Sequence, residues 1–330
     1  MKISIAMATY NGAKYLQEQL DSFLLQTRLP DQLIITDDGS TDDTLDIVKR
    51  FAETAPFQVI YSQNMHNLGY AGNFNVALQK TTGDLVFLSD QDDVWFPEKI
   101  SRMVSISEAN PEALVLMNDA LLTDEALHSN GLTKIGQMKS AGFKLSGFVM
   151  GCCAVVKRDL LDFSLPIPDA YPAHDNWIVG IAEGMRRKHI YPQVLQYYRR
   201  HGNNESEWIV NSTTRVTRWD VLIQDLKRRF KKNSSADEVL SSIKASNALS
   251  LELLYQWADR AVESVQEPYA SDLRQYKVLL DQQLKNDAKR NEIRMQDFPA
   301  RLGAIGAFWL SGGYTTYSGW KSALRDTLGK

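Results

Sequence analysis

The segment DLVFLSDQDDVW, from Asp84 to Trp95, gives the clearest indication of the fold of this chain. Its apolar run 85–88 begins at turn residues and ends in a group of carboxylates, which predicts a buried strand. Ligands of open α/β sheets bind at the carboxyl ends of strands. Three aspartates within four residues repel one another unless a cation lies between them, so the segment favours a Mg²⁺ or Mn²⁺ site. A solvated turn or a helix cap is the alternative for the same acids.

Strands and helices alternate on both sides of this segment. Apolar runs predict strands at 3–8, 32–36, 57–61, 114–117, 147–156 and 194–198. Helical spacing fills most of the intervals, with Thr41 or Asp42 as an N-cap, and residues 121–144 form a polar loop. This alternation predicts an α/β fold with a doubly wound, mostly parallel sheet, and from about residue 214 the chain changes to helices.

The composition excludes several classes of protein. The formal net charge of −3 gives no sign of a nucleic-acid surface. The two cysteines, Cys152 and Cys153, are adjacent and fit a reducing compartment as small core residues. We expect neither a secretory signal nor a membrane-spanning segment, and therefore a cytoplasmic protein.

Polar residues follow three of the predicted parallel strands. Thr9, Tyr10 and Asn11 follow the first strand, Asp37 and Asp38 the second, and the acids of DQDD the fourth. A glycine-rich loop, NLGYAGN at 67–73, precedes the fourth. Because the carboxyl ends of parallel strands meet at one edge of a sheet, these residues are expected to line one crevice that suits a nucleotide and a metal.

The ordered set of motifs resembles the inverting GT-A glycosyltransferases of family 2. The segments ATYNG (8–12), DDGSTD (37–42), NLG (67–69) and FLSDQDD (87–93) occur in the order and spacing of that family, over about residues 1–205. The segments DQDDVW (90–95) and YRRHGNN (198–204) resemble the rhamnosyltransferase-like members. The resemblance implies a GT-A fold, Rossmann-like with a mostly parallel mixed sheet flanked by helices, and a C-terminal helical extension.

The resemblance also implies site residues. Asp175 would be the catalytic base, although His174 stands where the family carries an acid before that base. Asp92 and His201 would bind the metal. The donor nucleotide would be bound by Thr9, Tyr10, Asn11, Asp37, Asp38, Asn67, Gly69, Asn73, Asp90 and Gln91. The acceptor and diphosphate side would include Trp95, Gly151, His174 and Arg200.

The implied reaction is metal-dependent transfer, with inversion, from a nucleotide sugar to a hydroxyl of a cell-surface glycan or a lipid-linked saccharide. The favoured donor is dTDP-L-rhamnose, with UDP-hexoses next, and the cofactor is Mn²⁺ or Mg²⁺. Such an acceptor implies a place at the inner face of the cytoplasmic membrane. The basic run 227–232 and the C-terminal aromatic residues could contact that membrane, although packing of 302–310 against the main domain is the favoured alternative. A homo-oligomer stays open.

The predicted domains are 1–212, with a nucleotide half at 1–96 and an acceptor half at 97–212, and a helical extension at 213–330. Two other functions are open. A sugar-nucleotide nucleotidyltransferase needs a basic, glycine-rich loop after the first strand, where this chain has TYNG. A non-catalytic nucleotide-binding or signalling module would carry its acid pair after the first strand rather than the second.

Overall fold

The computed structural model describes residues 1–202, 208–230 and 234–329. The predicted motif residues Asn203 and Asn204 and part of the basic run 227–232 lie outside the described residues. The strands are β1 (Ile3–Thr9), β2 (Gln32–Asp37), β3 (Gln58–Gln63), β4 (Leu85–Ser89), β5 (Val94–Trp95), β6 (Val115–Thr123), β7 (Ala154–Lys157) and β8 (Lys188–Arg199). The helices are α1 (Ala13–Leu24), α2 (Thr44–Thr54), α3 (Gly69–Lys80), α4 (Lys99–Ala109), α5 (Lys134–Ser140), α6 (Arg158–Ser164), α7 (His174–Gly184), α8 (Arg218–Phe230), α9 (Ser234–Ser264), α10 (Ala270–Met295), α11 (Phe298–Leu310) and α12 (Trp320–Thr327).

The strands form one mixed sheet in the order β3-β2-β1-β4-β7-β6-β8-β5. Strands β1 to β4 are parallel to their neighbours among themselves, and β6 is parallel to β8. Strand β7 is antiparallel to β4 and β6, and β5 is antiparallel to β8. The prediction of a mostly parallel sheet flanked by helices, with helices at the C-terminus, is therefore confirmed.

The register of the sheet brings the polar strand ends together. Thr9 is paired with Asp37, and Met7 is paired with Ser89, which immediately precedes Asp90. All five residues of β4 are buried, because helices cover both faces of the parallel part of a doubly wound sheet. Apolar residues of β1, β2, β4, α1 and α4 share one core cluster. This core fixes the edge of the sheet from which the site residues project.

The segment 147–156 is not the continuous strand that its apolar run predicts. It contains a 3₁₀ turn at Gly151–Cys153, and only Ala154–Lys157 pairs in the sheet. Because Phe148, Met150 and Cys152 are buried, their apolar character reports burial rather than an extended backbone. The antiparallel pairing of β7 also lay outside the predicted alternation.

Two further local predictions were wrong. Helix α2 begins at Thr44 after Asp43, so neither Thr41 nor Asp42 is its N-cap. The Asp42 carboxylate instead accepts the backbone N–H groups of Thr44 and Ala13 and so joins the starts of two helices. The polar stretch 121–144 is not one loop, because it contains the end of β6 and helix α5, which Thr133 caps through its hydroxyl.

The chain divides into two compact units, Met1–Ser246 and Asn247–Lys330. The second unit has its own apolar cluster around Ile293 and Phe308. In it the buried Asp326 carboxylate accepts hydrogen bonds from Arg290, Arg294 and the hydroxyl of Tyr314. Among the described helices, none is both long enough and apolar enough to cross a bilayer. The predicted boundary at 212/213 stays a prediction.

Candidate active site

A cavity of about 810 Å³ opens at the carboxyl ends of β1, β2 and β4. Four carboxylates from separate parts of the chain line it, namely Asp38, Asp90, Asp92 and Asp175. The other predicted site residues on its wall are Thr9, Tyr10, Asn11, Asn67, Gly69, Asn73, Gln91, Gly151, His174 and His201. Asp37, Trp95 and Arg200 are not part of this wall.

The two aspartates after β2 differ in what they offer the cavity. Asp37 is fully buried, and its Oδ2 accepts hydrogen bonds from the hydroxyls of Thr9 at 2.9 Å and Ser40 at 2.5 Å. Asp38 lines the cavity, and its Oδ1 accepts the backbone N–H of Leu68 at 2.8 Å and the amide of Asn64 at 3.0 Å. Its Oδ2 has no partner among the described residues. Asp38 is therefore the member of the pair that can accept a hydrogen bond from a ligand.

Two asparagines hold the loops around Asp38. The Asn73 amide donates to the Thr9 carbonyl at 3.1 Å, and the Asn67 amide donates to the Asp38 carbonyl at 3.1 Å. Asn67 Oδ1 accepts the N–H of Gly69, whose φ of +72° is readily adopted only by glycine. These side chains fix the shape of the wall as well as lining it.

Gln91 holds the turn after β1 in place. Its Oε1 accepts the backbone N–H of Tyr10 at 2.9 Å, and its Nε2 donates to the Tyr10 carbonyl at 3.0 Å. A Cβ on Gly12 would lie 2.2 Å from Gln91 Oε1, so glycine leaves room for this pairing. Tyr10 keeps about half of its surface exposed beside the cavity, where a planar base can lie against it.

Negative charge concentrates at the end of β4. Burial, followed by the carboxylates of Asp92 and Asp175, raises the pKa of Asp90 to about 7. Asp93 is fully buried below the cavity floor, where its carboxylate accepts the Gln196 amide at 2.8 Å. Burial, followed by the charges of its neighbours, raises the pKa of Asp93 well above its usual value. A cation placed against the cavity-facing acids would relieve this repulsion.

Two groups of side chains have donor atoms suited to a metal. Asp92 Oδ2 lies 2.7 Å from His201 Nε2, and both residues line the cavity. Carboxylate and imidazole together suit Mn²⁺, and the carboxylate suits Mg²⁺. The donor atoms of Asp90, Asp93 and Cys152 also lie within 4.8 Å of one another. Burial raises the pKa of the Cys152 thiol well above its usual value, and a neutral thiol is a poor ligand for a hard cation.

The catalytic candidate Asp175 lies in the first turn of α7. Its Oδ1 accepts the N–H of Asn176 at 2.8 Å. The neighbouring His174 stacks on Phe74 with ring centroids 3.9 Å apart. A Cβ on Gly151 would lie 2.9 Å from His174 Nε2 and 3.5 Å from Asp175 Cβ, so this glycine leaves room for the imidazole beside the backbone.

His174 is a buried neutral imidazole. It is 4% exposed, and neither ring nitrogen has a hydrogen-bond partner in the described part of the chain. Burial lowers its pKa to about 4, and the carboxylate of Asp175 only partly opposes this shift. At neutral pH the ring therefore offers the cavity one donor and one acceptor without a charge.

The pKa of His174 predicts an acid-sensitive fold. The pKa of the His174 imidazole is 6.5 in the unfolded chain and about 4 in the folded protein. Its contribution to the free energy of unfolding is therefore fully present above pH 6.5 and is lost as the pH falls towards 4. At ~1.4 kcal/mol per pKa unit the loss reaches roughly 3 kcal/mol. Relative to wild type, His174→Gln should therefore lose less stability on acidification. Urea unfolding at several pH values between 7 and 4 measures the free energy of unfolding, and His128→Gln, at an exposed histidine, is the control. If the free energies of wild type and His174→Gln fell in parallel with pH, the prediction would be contradicted.

Two predicted acceptor-side residues have other environments. Trp95 is 2% exposed, its ring packs edge-on against Phe23, and the ammonium of Lys99 lies 3.9 Å from the ring centroid. Arg200 donates its backbone N–H to Thr123 and a guanidinium N–H to the hydroxyl of Tyr198 at 3.3 Å. Trp95 thus packs in the core directly after the acidic segment 90–93.

Part of the cavity wall was missed by sequence reasoning. Tyr15, Tyr70, Phe74, Glu125, Lys134, Tyr198, Trp208 and Asn211 also line it. The ring of Tyr15 lies 4.8 Å from His201, and the hydroxyl of Tyr70 donates to the Pro172 carbonyl. The one available signal for Lys134 was its position in the polar stretch 121–144, whose length suggested a functional segment.

The sheet and its strand-edge cavity define an α/β protein of the GT-A fold. The S. aureus protein TarS, solved in complex with UDP-GlcNAc, aligns over 86% of this chain and 92% of that chain, with a TM-score of 0.52 and 18% sequence identity. At that identity the likeness is one of fold. Residues 4–163, just under half of the chain, match the family model described as Glycosyl transferase family 2.

Two curated relatives share part of the sequence. An uncharacterised glycosyltransferase of Nostoc sp. is 38% identical over 112 residues, which are 33% of this chain and 34% of that protein. The dTDP-rhamnosyl transferase RfbG of Shigella flexneri is 27% identical over 211 residues, which are 60% of this chain and 73% of that protein. The chain thus spans about a third of the first relative and most of the second.

Proposed function

We propose that this protein is a metal-dependent inverting glycosyltransferase that transfers a sugar from a nucleotide sugar to an acceptor hydroxyl. The observation that carries the proposal is the convergence of Asp38, Asp90, Asp92 and Asp175 on one cavity of about 810 Å³. That volume is in the range of small-molecule sites. The match of residues 4–163 to the family 2 model supports the reaction class.

The donor nucleotide would bind at the ends of β1 and β2. Asp38 Oδ2 would accept a hydrogen bond from a ring N–H of the base, since Oδ1 is already occupied by the loop. Tyr10 would lie against the base, in the position that Gln91 fixes. Asp37 would act indirectly by holding Thr9 and Ser40, and Asp90 would face the ribose.

Asp92 and His201 would hold the divalent metal. When bound, the metal supplies positive charge to the departing nucleoside diphosphate. In the protein alone the two side chains are hydrogen-bonded to each other at 2.7 Å, so each already faces the same point of the cavity. This pairing keeps the His201 imidazole beside the Asp92 carboxylate.

Asp175 would be the general base. A carboxylate at the start of α7 can take the proton from an acceptor hydroxyl as its oxygen attacks the anomeric carbon from the face opposite the leaving diphosphate. One displacement of this kind inverts the anomeric centre. The reaction shares the oxocarbenium-like transition state of glycosidases, but the charged leaving group needs no protein acid. His174 and Gly151 would position the base.

The preferred donor in this proposal is dTDP-L-rhamnose, with UDP-hexoses next. The segments DQDDVW and YRRHGNN and the likeness to RfbG support this order. The acceptor would be a cell-surface glycan or a lipid-linked saccharide, met at the inner face of the cytoplasmic membrane. We retain 1–212 as the transferase domain, with the C-terminal helical extension as the candidate for membrane contact and self-association.

A panel of nucleotide sugars tests the proposal. With Mn²⁺ or Mg²⁺ present, dTDP-L-rhamnose at about 100 times its Kd should add ~2.7 kcal/mol of stability, and EDTA should remove most of that gain. Thermal unfolding measures the effect, and release of nucleoside diphosphate reports turnover. Failure of every nucleotide sugar to stabilise the protein would refute the proposal, whereas a larger effect of a UDP-hexose would change only the donor.

A further inference from the structure

Lys134 is a buried cation on the wall of the cavity. It is the first residue of α5 and only 2% exposed, yet it lines the cavity together with Trp208 and Asn211. Its Nζ donates a hydrogen bond to Asn211 Oδ1 and lies 4.5 Å from the centroid of the Trp208 ring. Both contacts are with uncharged groups.

No carboxylate neutralises Lys134 in the described part of the chain. The acid that acts on its charge, Asp119, is committed elsewhere, because its Oδ1 accepts the backbone N–H groups of Ala120 at 2.8 Å and Ile135 at 2.9 Å. Arg200, whose charge affects the pKa of Lys134 more than that of Asp119 does, is also a cation. Burying an unpaired charge is costly, so proteins rarely keep one without a partner.

The charge of this part of the wall is opposite to that of the acids that follow β4. Burial lowers the pKa of Lys134 to about 8, which is the response of an ammonium that has lost water without gaining a counter-ion. An anion placed beside the ammonium would reverse that shift. Lysine is a compact point charge that commonly binds phosphate. The Asn211 amide and the Trp208 ring hold the ammonium in one position.

We infer that Lys134, held by Asn211 and Trp208, forms a phosphate-binding subsite of this cavity. The inference rests on the proposed function and deepens it. The phosphate belongs either to the diphosphate of the donor or to a diphosphate carried by the acceptor. The two sources share one chemistry and differ in which substrate loses affinity when the charge is removed.

Calorimetry with Lys134→Met tests the subsite. Methionine keeps the length and the apolar stem but removes the charge, so inorganic pyrophosphate should bind about 10–100-fold more weakly, as expected for one charge-assisted hydrogen bond. Lys139→Met is the matched control, because this lysine is exposed on the same helix and lies outside the cavity wall. Thermal unfolding of each variant checks that it is folded.

Two further titrations distinguish the sources of the phosphate. If the donor supplies it, Lys134→Met also weakens dTDP or UDP, while thymidine or uridine binding is unchanged. If the acceptor supplies it, the nucleoside diphosphates bind as in wild type and farnesyl diphosphate, used as a soluble probe, binds more weakly. Equal affinities of wild type and Lys134→Met for pyrophosphate, dTDP, UDP and farnesyl diphosphate would overturn the inference.

A second variant keeps the test decisive if Lys134→Met does not fold. Asn211→Asp places a carboxylate against the retained lysine and should weaken pyrophosphate by a similar factor, whereas Lys134→Arg should preserve binding. Unchanged pyrophosphate affinity in Asn211→Asp would overturn the subsite. If wild type binds pyrophosphate but no nucleotide sugar, and these variants bind pyrophosphate more weakly, the proposed function fails and the anion subsite stands.

Discussion

Asp175→Asn is expected to lose sugar transfer by about 10²–10⁴-fold while donor affinity stays at the wild-type value. This is the effect of removing a positioned general base. Asparagine has nearly the same shape as aspartate, so the packing beside Gly151 and the contact with the N–H of Asn176 can persist. The amide cannot take a proton from the acceptor hydroxyl, and the loss should therefore appear in kcat.

Single-turnover transfer and calorimetric donor binding measure the two parts of this prediction. Asp169→Asn is the matched control, because Asp169 is an exposed acid shortly before α7 and does not line the cavity. Its rate should equal that of wild type. Undiminished transfer by Asp175→Asn would remove Asp175 from the mechanism, and a parallel loss of donor affinity would show that the residue binds the donor instead.

Asp92→Ala is expected to abolish the effect of metal on donor binding. The carboxylate lies in the wall beside His201 and is the group best placed to hold a divalent cation. Disturbing even a partner of a metal ligand typically lowers metal affinity by about 10–100-fold, so loss of the ligand itself should exceed that range. Transfer should fall with it, because the departing diphosphate would lose its counter-charge.

Donor titrations with Mn²⁺ and with EDTA test the role of Asp92. In wild type the two curves should separate, and in Asp92→Ala they should coincide. Asp84→Ala is the control. Asp84 directly precedes the first residue of β4, at the end of the strand away from the cavity, and it is exposed and not part of the cavity wall. A metal response that survives in Asp92→Ala would direct attention to the cluster of Asp90, Asp93 and Cys152.

Much of the fold could be predicted because a strand that is buried on both faces of a parallel sheet appears in the sequence as a continuous apolar run. Strand β4 reads as an apolar run since every one of its residues is buried. The antiparallel β7 could not be predicted, because its neighbours β4 and β6 are distant in sequence. The apolar run 147–156 reported burial but not the 3₁₀ turn at Gly151–Cys153.

The candidate site was predictable at the level of strand ends and not at the level of individual side chains. Sequence could not tell Asp37 from Asp38, because only packing turns one carboxylate into the loop and the other towards the cavity. The sequence likewise predicted Trp95 on the acceptor side, whereas its ring packs against Phe23 and is buried in the core.

Acids, amides and glycines follow successive parallel strands in the amino-acid sequence, and parallel pairing then places those strand ends at one edge. Tertiary packing sets which of these side chains reach the cavity and which support it from below. It also brought Lys134 and Asn211, separated by 77 positions, into hydrogen-bond contact in the cavity wall. Local sequence patterns encode burial and backbone direction, whereas the partners of a polar side chain depend on contacts between distant segments.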